Sequence, residues 1–387
     1  MSKVIIYEPA ITGHHVEYLT HIINFLIKYN NLSYDYYFLI NKDFVKLFNN
    51  KFSSNIKFIY LSNYEIKVIN KLQFIILRDI ANYYLLRKYT RLYNPNQVII
   101  LDINTCRLSL FFYRNFLANI SGILFHPYTS EPINRLRKIK EKFFTILMLS
   151  NPRVKRIFVL DDDGAKKELN MIFNSYNRFE VLPDPINATR SKHNFNPYFD
   201  LDIKNRKVFL HFGALSKRKG TLEIIKSINY LPERILQEVK IVIIGKAVPK
   251  FDKQIKLQLN KIKSKHKNCI IYINRYLPAE EIESYITSSS CLLIPYKNYG
   301  SSSGIIGLAA KYGKPVIGPD LGYLGKTIKK YSLGYGVKCL PKDIALAISN
   351  CYDNGDDNLG NNLRRIDYIK EKTPDKFVKT LMKSINL

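Results

Sequence analysis

The 387-residue sequence has no tryptophan, only four methionines and five cysteines, and its acidic residues are outnumbered almost two to one. The cysteines, at positions 106, 269, 291, 339 and 351, are odd in number, widely scattered and without a CxxC pair. That excludes a disulfide-stapled scaffold, argues against a structural zinc site and points to a reducing compartment. No apolar run reaches the roughly 18–20 residues that a membrane-spanning helix needs, and Phe143 to Leu149 is typical of the longest. Met1 leads directly into the strand-like Lys3-Val-Ile-Ile-Tyr, with no apolar leader or cleavage site. The expectation is a cytoplasmic protein, soluble or peripheral, without a signal peptide.

The shortage of acids is the anomaly. Sixty Lys and Arg against 32 Asp and Glu leave a formal charge of +28, which implies attraction to phosphate, phospholipid headgroups or nucleic acid. Part of the surplus follows from a Lys-, Asn-, Ile-, Tyr- and Phe-rich composition of the kind that AT-rich coding gives. No zinc-finger, KH or RRM signature is visible, and the basic residues are spread through an α/β pattern, so nucleic acid is not expected as a partner. With 46% hydrophobic and 24% charged residues the composition is globular, and the length suits two domains.

Short β-branched and aromatic runs alternate with helical stretches, the pattern of parallel sheets with crossover helices. In the first half the expected strands are 4–7, 34–40, 56–60, 98–102, 122–126 and 156–160, and the helices 16–29, 71–93, 133–149 and 165–173. From Pro183 the periodicity fades and Pro185, Asn187, Asn194 and Pro197 accumulate, which reads as a linker. A second series follows, with strands at 208–212, 239–245, 269–273, 291–295 and 315–318. Its helices are expected at 221–230, 255–265, 279–287, 304–312 and 342–351. The division is therefore 1–187, a linker at 188–205, a second domain at 206–360 and a helical segment at 361–387 with the option of packing back on the first domain. Both domains are doubly wound and Rossmann-like, so ligands are expected outside the carboxyl ends of the strands.

The most informative stretch is Pro295-Tyr-Lys-Asn-Tyr-Gly-Ser-Ser-Ser-Gly-Ile-Ile-Gly-Leu-Ala-Ala-Lys-Tyr-Gly-Lys-Pro-Val-Ile-Gly. It runs from a strand end through a Gly/Ser loop into an apolar helix start, then back into a strand. Ser301, Ser302, Ser303 and the N–H groups around Gly304 would form an anion site at a helix N-terminus; a plain Ser N-cap would need only one serine. This stretch resembles the donor-binding segment of the GT-B glycosyltransferases related to family GT4, the group 1 glycosyl transferases. Two other places share the resemblance. His211-Phe-Gly-Ala-Leu-Ser-Lys-Arg-Lys-Gly-Thr-Leu-Glu is similar to the family's first strand and loop of the C-terminal domain. Val181-Leu-Pro-Asp-Pro-Ile is similar to the segment that closes the N-terminal domain.

The resemblance implies two domains facing across a cleft, with the acceptor on the N-terminal side and a nucleotide-sugar on the C-terminal side. It assigns the donor diphosphate to Gly213, Lys217, Arg218 and Lys219 together with Ser301 to Gly304, with no cofactor and no metal, and it implies retention at the anomeric carbon. There are departures. The two glutamates that the family usually carries eight residues apart fall on Gly300 and Leu308, and its arginine after the loop glycine is Ala214. The alternative is a catalytically degenerate protein that binds nucleotide-sugar or glycan.

In the first domain, Glu8-Pro-Ala-Ile-Thr-Gly-His-His lies between the first strand and its helix. Gly13 would let backbone approach a ligand, and the resemblance sets Glu8, Gly13, His14 and His15 in the cleft; a Gly turn with a histidine cap is the plainer account. His126 ends a strand, where related enzymes often carry a histidine near the reacting sugar, and it is the catalytic candidate; a structural histidine is the other reading. Asp161-Asp-Asp163 follows a strand and precedes a helix, so it reads as an N-cap and not as a metal-binding DxD.

Between residues 131 and 160 eight Lys and Arg (Arg135, Arg137, Lys138, Lys140, Lys142, Arg153, Lys155 and Arg156) stand against two acids, Glu131 and Glu141. They flank the apolar Phe143-Phe-Thr-Ile-Leu-Met-Leu. The expectation is peripheral attachment to an anionic inner-membrane surface. The expected activity is transfer of a sugar to a glycan or lipid-linked acceptor in surface polysaccharide or lipopolysaccharide assembly.

Overall fold

The computed structural model describes residues 2–11, 14–29, 33–47, 53–71, 75–112, 118–125, 127–129, 135–174, 178–186, 197–199, 201, 203, 205–262, 264–297, 303–354 and 362–386. They form two compact units, the first from residues 1–184 with 374–387, the second from 185–373.

Unit 1 runs β1 (Ser2–Glu8), α1 (His14–Tyr29), β2 (Tyr34–Asn41), β3 (Ile56–Leu61), α2 (Asn63–Lys71), α3 (Ile75–Tyr93), β4 (Gln97–Ile100), α4 (Arg107–Phe112), β5 (Asn119–Leu124), α5 (Arg135–Leu149), β6 (Val154–Leu160), α6 (Asp163–Phe173) and β7 (Phe179–Leu182). Its seven strands are all parallel, in the order β3-β2-β1-β4-β5-β6-β7. Val4, Ile5, Ile6 and Tyr7 are successive buried residues because β1 is covered on both faces, the reason a central parallel strand reads as an unbroken apolar run. One face packs on α1 through Leu19, Ile22 and Ile23, the other on α3, α4 and α5 through Leu86, Leu110 and Met148.

Unit 2 runs β8 (Lys207–Phe212), α7 (Thr221–Ser227), α8 (Glu233–Glu238), β9 (Val239–Ile244), α9 (Pro249–Asn260), β10 (Ile270–Ile273), α10 (Ala279–Thr287), β11 (Cys291–Leu293), α11 (Gly304–Lys311), β12 (Val316–Pro319), α12 (Gly322–Lys330), β13 (Gly334–Val337), α13 (Pro341–Asn354) and α14 (Asn362–Glu371). Its parallel sheet has the order β10-β9-β8-β11-β12-β13. The chain then returns to unit 1 as α15 (Pro374–Met382), which lies on α1 and buries Phe377, Val378 and Leu381 completely. Ser384 beyond it meets Ser121 of β5 at 2.9 Å.

Several elements differ from the sequence expectation. The helix expected over 71–93 is α3, which begins at Ile75, with residues 72–74 outside the described part, while α2 meets the expected range only at Lys71. The strands β7 and β13 and the helices α4, α8 and α12 have no counterpart in it. Gly334 and Gly336 give β13 little strand propensity, and its place at the sheet edge, paired only with β12, supplies the order instead. The segment 361–387 divides, α14 packing on α11 of unit 2 and α15 on α1 of unit 1. Most of 188–205 lies outside the described residues.

Candidate active site

Each sheet reverses its strand order once, beside its first strand, between β1 and β4 in unit 1 and between β8 and β11 in unit 2. At such a switch point the connections leave to opposite faces and open a crevice at the carboxyl edge.

In unit 2 that crevice is bounded by the loops after β8 and β11. The first turns back at Gly213, with φ +101°, and ends at Gly220, with φ +73°. Both conformations suit glycine, and the packing demands it as well. A Cβ at Gly213 would come within 2.7 Å of Lys219 Nζ, and one at Gly220 within 2.1 Å of the Pro295 carbonyl oxygen. The loops are fastened together. Lys297 N–H donates to the Arg218 carbonyl at 2.8 Å, and Lys297 Nζ pairs with Glu223 at 2.7 Å.

Of the three basic residues in this turn, Lys217 and Arg218 are exposed and Lys219 turns inward. Its Nζ donates to the Phe212 carbonyl at 3.4 Å and stands 5.6 Å from the ring centroid of Tyr296. Burial, with the nearby charge of Arg218, pulls its pKa down to about 8. A buried ammonium with one long hydrogen bond is a cation held ready for an anion.

Tyr296 is the piece that sequence patterning alone does not single out, although it sits second in the long motif. Its ring is buried and carries the Arg218 guanidinium at 5.7 Å as well as Lys219. Its phenol is hydrogen-bonded to Ser303, while burial raises its pKa to about 12. One side chain thus ties the basic turn to the Gly/Ser loop. Ser303 precedes α11 in an extended conformation and makes no side-chain bond to the helix N–H groups. A Cβ at Gly304 would meet no atom within 4 Å, so the space before α11 is open among the described residues. Ser301 and Ser302 lie outside them. Beneath the crevice His211 is structural. Its Nδ1 donates to the Leu293 carbonyl at 2.8 Å and its Nε2 accepts from Thr221 at 3.0 Å. Burial drives its pKa down to about 4, so it stays neutral.

In unit 1 a cavity of about 250 Å³ opens at the β1–β4 switch point, lined by Tyr7, Glu8, His15, Arg78, Asn82 and Asp102 among others. Glu8, buried at the end of β1, accepts from Ala10 N–H at 2.8 Å and from His15 Nδ1 at 2.7 Å. Burial alone would lower the pKa of His15, but the hydrogen bond and charge of Glu8, aided by Asp102, outweigh it and raise the value. Asp102, just past β4, is pushed up to about 6 by burial and by repulsion from Glu8, against the opposing effect of His15. On the α3 wall Tyr7 donates to Asn82, and the buried Arg78 Nε has no partner among the described residues. Asp102, Arg78 and Asn82 carry no motif. Only the parallel register of β4 against β1 and the position of α3 bring them to Glu8.

Of the other expected residues, His14 is exposed, lies with its ring tilted against those of His15 and Phe125, and is not among the residues that line the cavity. Gly13 and His126 lie outside the described residues. The three aspartates are all engaged structurally. Asp161 accepts from Asp184 N–H at 2.7 Å, Asp162 caps α6 through Ala165 N–H at 2.9 Å, and Asp163 pairs with Lys167 at 2.7 Å.

Residues 198–370 match the family described as Glycosyl transferases group 1. No curated protein matches the chain in sequence. Among solved structures, the UDP-forming α,α-trehalose-phosphate synthase of Burkholderia vietnamiensis superposes with a TM-score of 0.73 at 9% identity, covering 100% of this chain and 98% of its own. Sucrose-phosphate synthase of Thermosynechococcus elongatus gives 0.71 at 12%, covering 100% and 98%. Anabaena HepE, solved with UDP, gives 0.70 at 12%, covering 100% of both. Identities this low speak for the fold alone.

Proposed function

From a chain with the two Rossmann-like domains of a GT-B glycosyltransferase and a group 1 domain over residues 198–370, we propose a divergent enzyme that transfers a sugar from a nucleotide-sugar to a glycan or lipid-linked acceptor in surface polysaccharide assembly. The observation that carries this is the joining of Lys219 and Ser303 through Tyr296 at the switch point of unit 2. In the reaction the bond from the anomeric carbon to the diphosphate breaks, and a bond to the acceptor oxygen forms. Negative charge grows on the departing phosphate, whose oxygen takes up the acceptor's hydroxyl proton as the bonds exchange. Lys219, the Ser303 hydroxyl and the N–H groups that open α11 are preorganised for that charge and supply what a metal ion would otherwise supply. The family likeness supports retention of configuration. The Burkholderia synthase is UDP-forming and the Anabaena protein binds UDP, which makes a UDP-sugar the first donor to test.

The cavity of unit 1 is the proposed acceptor site. Glu8 and Asp102 would accept sugar hydroxyls, and Arg78 would donate. Peripheral attachment on the cytoplasmic membrane face belongs to the same reading.

A thermal-shift panel of UDP-, GDP-, ADP- and CMP-sugars tests the donor site, since a ligand of the folded state raises the midpoint. Nucleotide release, with and without acceptor lipid, tests turnover. Gly300 and Leu308, standing where the family has glutamates, favour the second reading, a binding protein without turnover. A donor that shifts the midpoint yet is never cleaved would select it. Activity should persist in excess EDTA; loss restored by magnesium or manganese would contradict metal-free transfer.

A further inference from the structure

Unit 1 carries a surface that its own packing does not explain. α5 buries Thr145 and Met148 and turns Leu136, Ile139, Phe143 and Ile146 outward, each between 47% and 80% exposed. Their spacing of three, four and three residues makes one continuous stripe. Arg135, Arg137, Lys138, Lys140 and Lys142 surround it and are exposed too. The only acid of the helix, Glu141, is drawn away into an ion pair with Arg107 at 2.6 Å.

α3 repeats the arrangement. Leu77, Ile80 and Tyr84 are between 41% and 63% exposed, at spacings of three and four. On the other side of the same turns, Arg78 and Asn82 line the cavity. α4 packs against both α3 and α5, so the three helices share one layer. Each runs from the carboxyl edge of the parallel sheet back to its amino edge. The exposed residues therefore lie mainly on the helix halves nearest the edge where the cavity opens.

Single exposed apolar residues are ordinary. Two apolar stripes in one helix layer, on either side of α4 in contact order and the one on α5 bordered by exposed cations, are not explained by solvation, which would favour polar residues along the stripes. We propose that this face docks on an anionic lipid bilayer, with the stripes of α3 and α5 entering the headgroup region and the cations of α5 meeting lipid phosphates. Cationic flanks select an anionic partner, and alternation of large apolar with basic side chains along a helix suits a bilayer interface. The wall formed by α3 would then separate lipid from cavity by one helix. The inference rests on the acceptor reading above only for what enters the cavity; docking itself needs no transfer.

The absence of tryptophan supplies a clean probe, since Ile139→Trp makes a single indole in the full chain, excited selectively over its 28 tyrosines at the red edge of absorption. With phosphatidylcholine vesicles containing phosphatidylglycerol, its emission should shift to the blue and the protein should sediment; pure phosphatidylcholine should do neither. Replacing Arg135, Arg137, Lys138 and Lys140 by Gln should weaken binding by about tenfold or more. Leu136→Ser with Phe143→Ser, and separately Leu77→Ser with Tyr84→Ser, keep every charge and should also weaken it. Unchanged binding in both apolar pairs would reduce the effect to a +28 protein adhering to a polyanion and overturn the proposal. So would an indole emission, in the Ile139→Trp variant, that anionic vesicles leave unshifted. Circular dichroism and the midpoint shift given by nucleotide-sugar confirm that each variant is folded. Docking without any donor-induced shift would sink the transferase reading and leave this one standing.

Discussion

Glu8 and His15 stand at the two ends of the first strand-to-helix connection, and a 2.7 Å hydrogen bond closes the turn between them. The carboxylate holds the proton on Nδ1, which fixes the ring and leaves Nε2 as the titrating nitrogen. Glu8→Gln keeps the shape and removes the charge. With burial then opposed by Asp102 alone, the His15 pKa should fall below its present raised value, and Asp102, relieved of a repulsive neighbour, should fall as well. NMR titration of the His15 ring reads this directly. An unmoved value would show that Glu8 does not set it.

The same groups give unit 1 a pH-dependent stability. The folded pKa of His15 is raised above its ordinary 6.5, so its contribution is complete below that value and is lost as pH rises through the folded pKa. Asp102 is raised to about 6, so the cost of its buried charge grows as pH rises from its ordinary carboxylate range to about 6 and is level above that. Both slopes have one sign, Asp102 acting between about pH 4 and 6 and His15 above 6.5, and these groups should make unit 1 less stable at pH 8 than at pH 4.5. Denaturant midpoints of wild type and Asp102→Asn check it; the variant should flatten the dependence.

Lys219→Ala should slow donor turnover by roughly 10- to 150-fold, the rate equivalent of a charge-assisted contact of about 1.5–3 kcal/mol. Because charge grows on the leaving phosphate, kcat should fall more than donor affinity. Ser303→Ala should act in the same direction and less strongly. Wild-type kinetics in both variants would show that the diphosphate sits elsewhere.

Donor binding should also report the titration of Lys219. Its amine is charged below about 8, and a bound diphosphate favours the charged form, so binding takes up a proton when it occurs above that pH. Affinity for the nucleotide diphosphate should be flat at neutral pH and decline as pH rises beyond 8. Calorimetry in buffers of different ionisation heat measures the uptake. Lys219→Arg, which cannot lose its proton, should remove the decline.

Gly220→Ala tests the loop as a unit. The added Cβ meets the Pro295 carbonyl at 2.1 Å in a left-handed conformation, and strain plus overpacking should cost about 2–4 kcal/mol. The basic turn and the Gly/Ser loop would separate, so donor-induced stabilisation should vanish along with the lost stability. A variant as stable as wild type would contradict the close approach.

How much of this was legible in the sequence depended on what each residue answers to. Val239-Lys-Ile-Val-Ile-Ile declares a buried parallel strand because burial on both faces leaves few alternatives, whereas Gly334-Tyr-Gly-Val becomes a strand only by pairing with β12. The motif around Lys217, Arg218 and Lys219 marked the basic turn but not the inward residue, which is fixed by Gly220 and Pro295, far apart in sequence. The aspartates at 161–163 were readable as local caps because capping acts over three residues. Asp102, Arg78 and Glu8 are distant in the chain, and no local signal joins them. The apolar run in α5 was visible, but which of its residues face solvent was not, since Leu136 and Ile139 extend the exposed stripe into the basic turn.

The placement of α15 has a consequence for the order in which the chain matures. Phe377, Val378 and Leu381 complete the core behind α1, and Ser384 reaches β5, so a segment that follows unit 2 in the chain finishes the unit that precedes it. During synthesis the residues up to 184 leave the ribosome with an apolar groove still open, and unit 2 emerges whole before the helix that fills it. The second unit can therefore reach its native state first, and a nascent first unit waits, vulnerable to misassociation, until α15 has emerged.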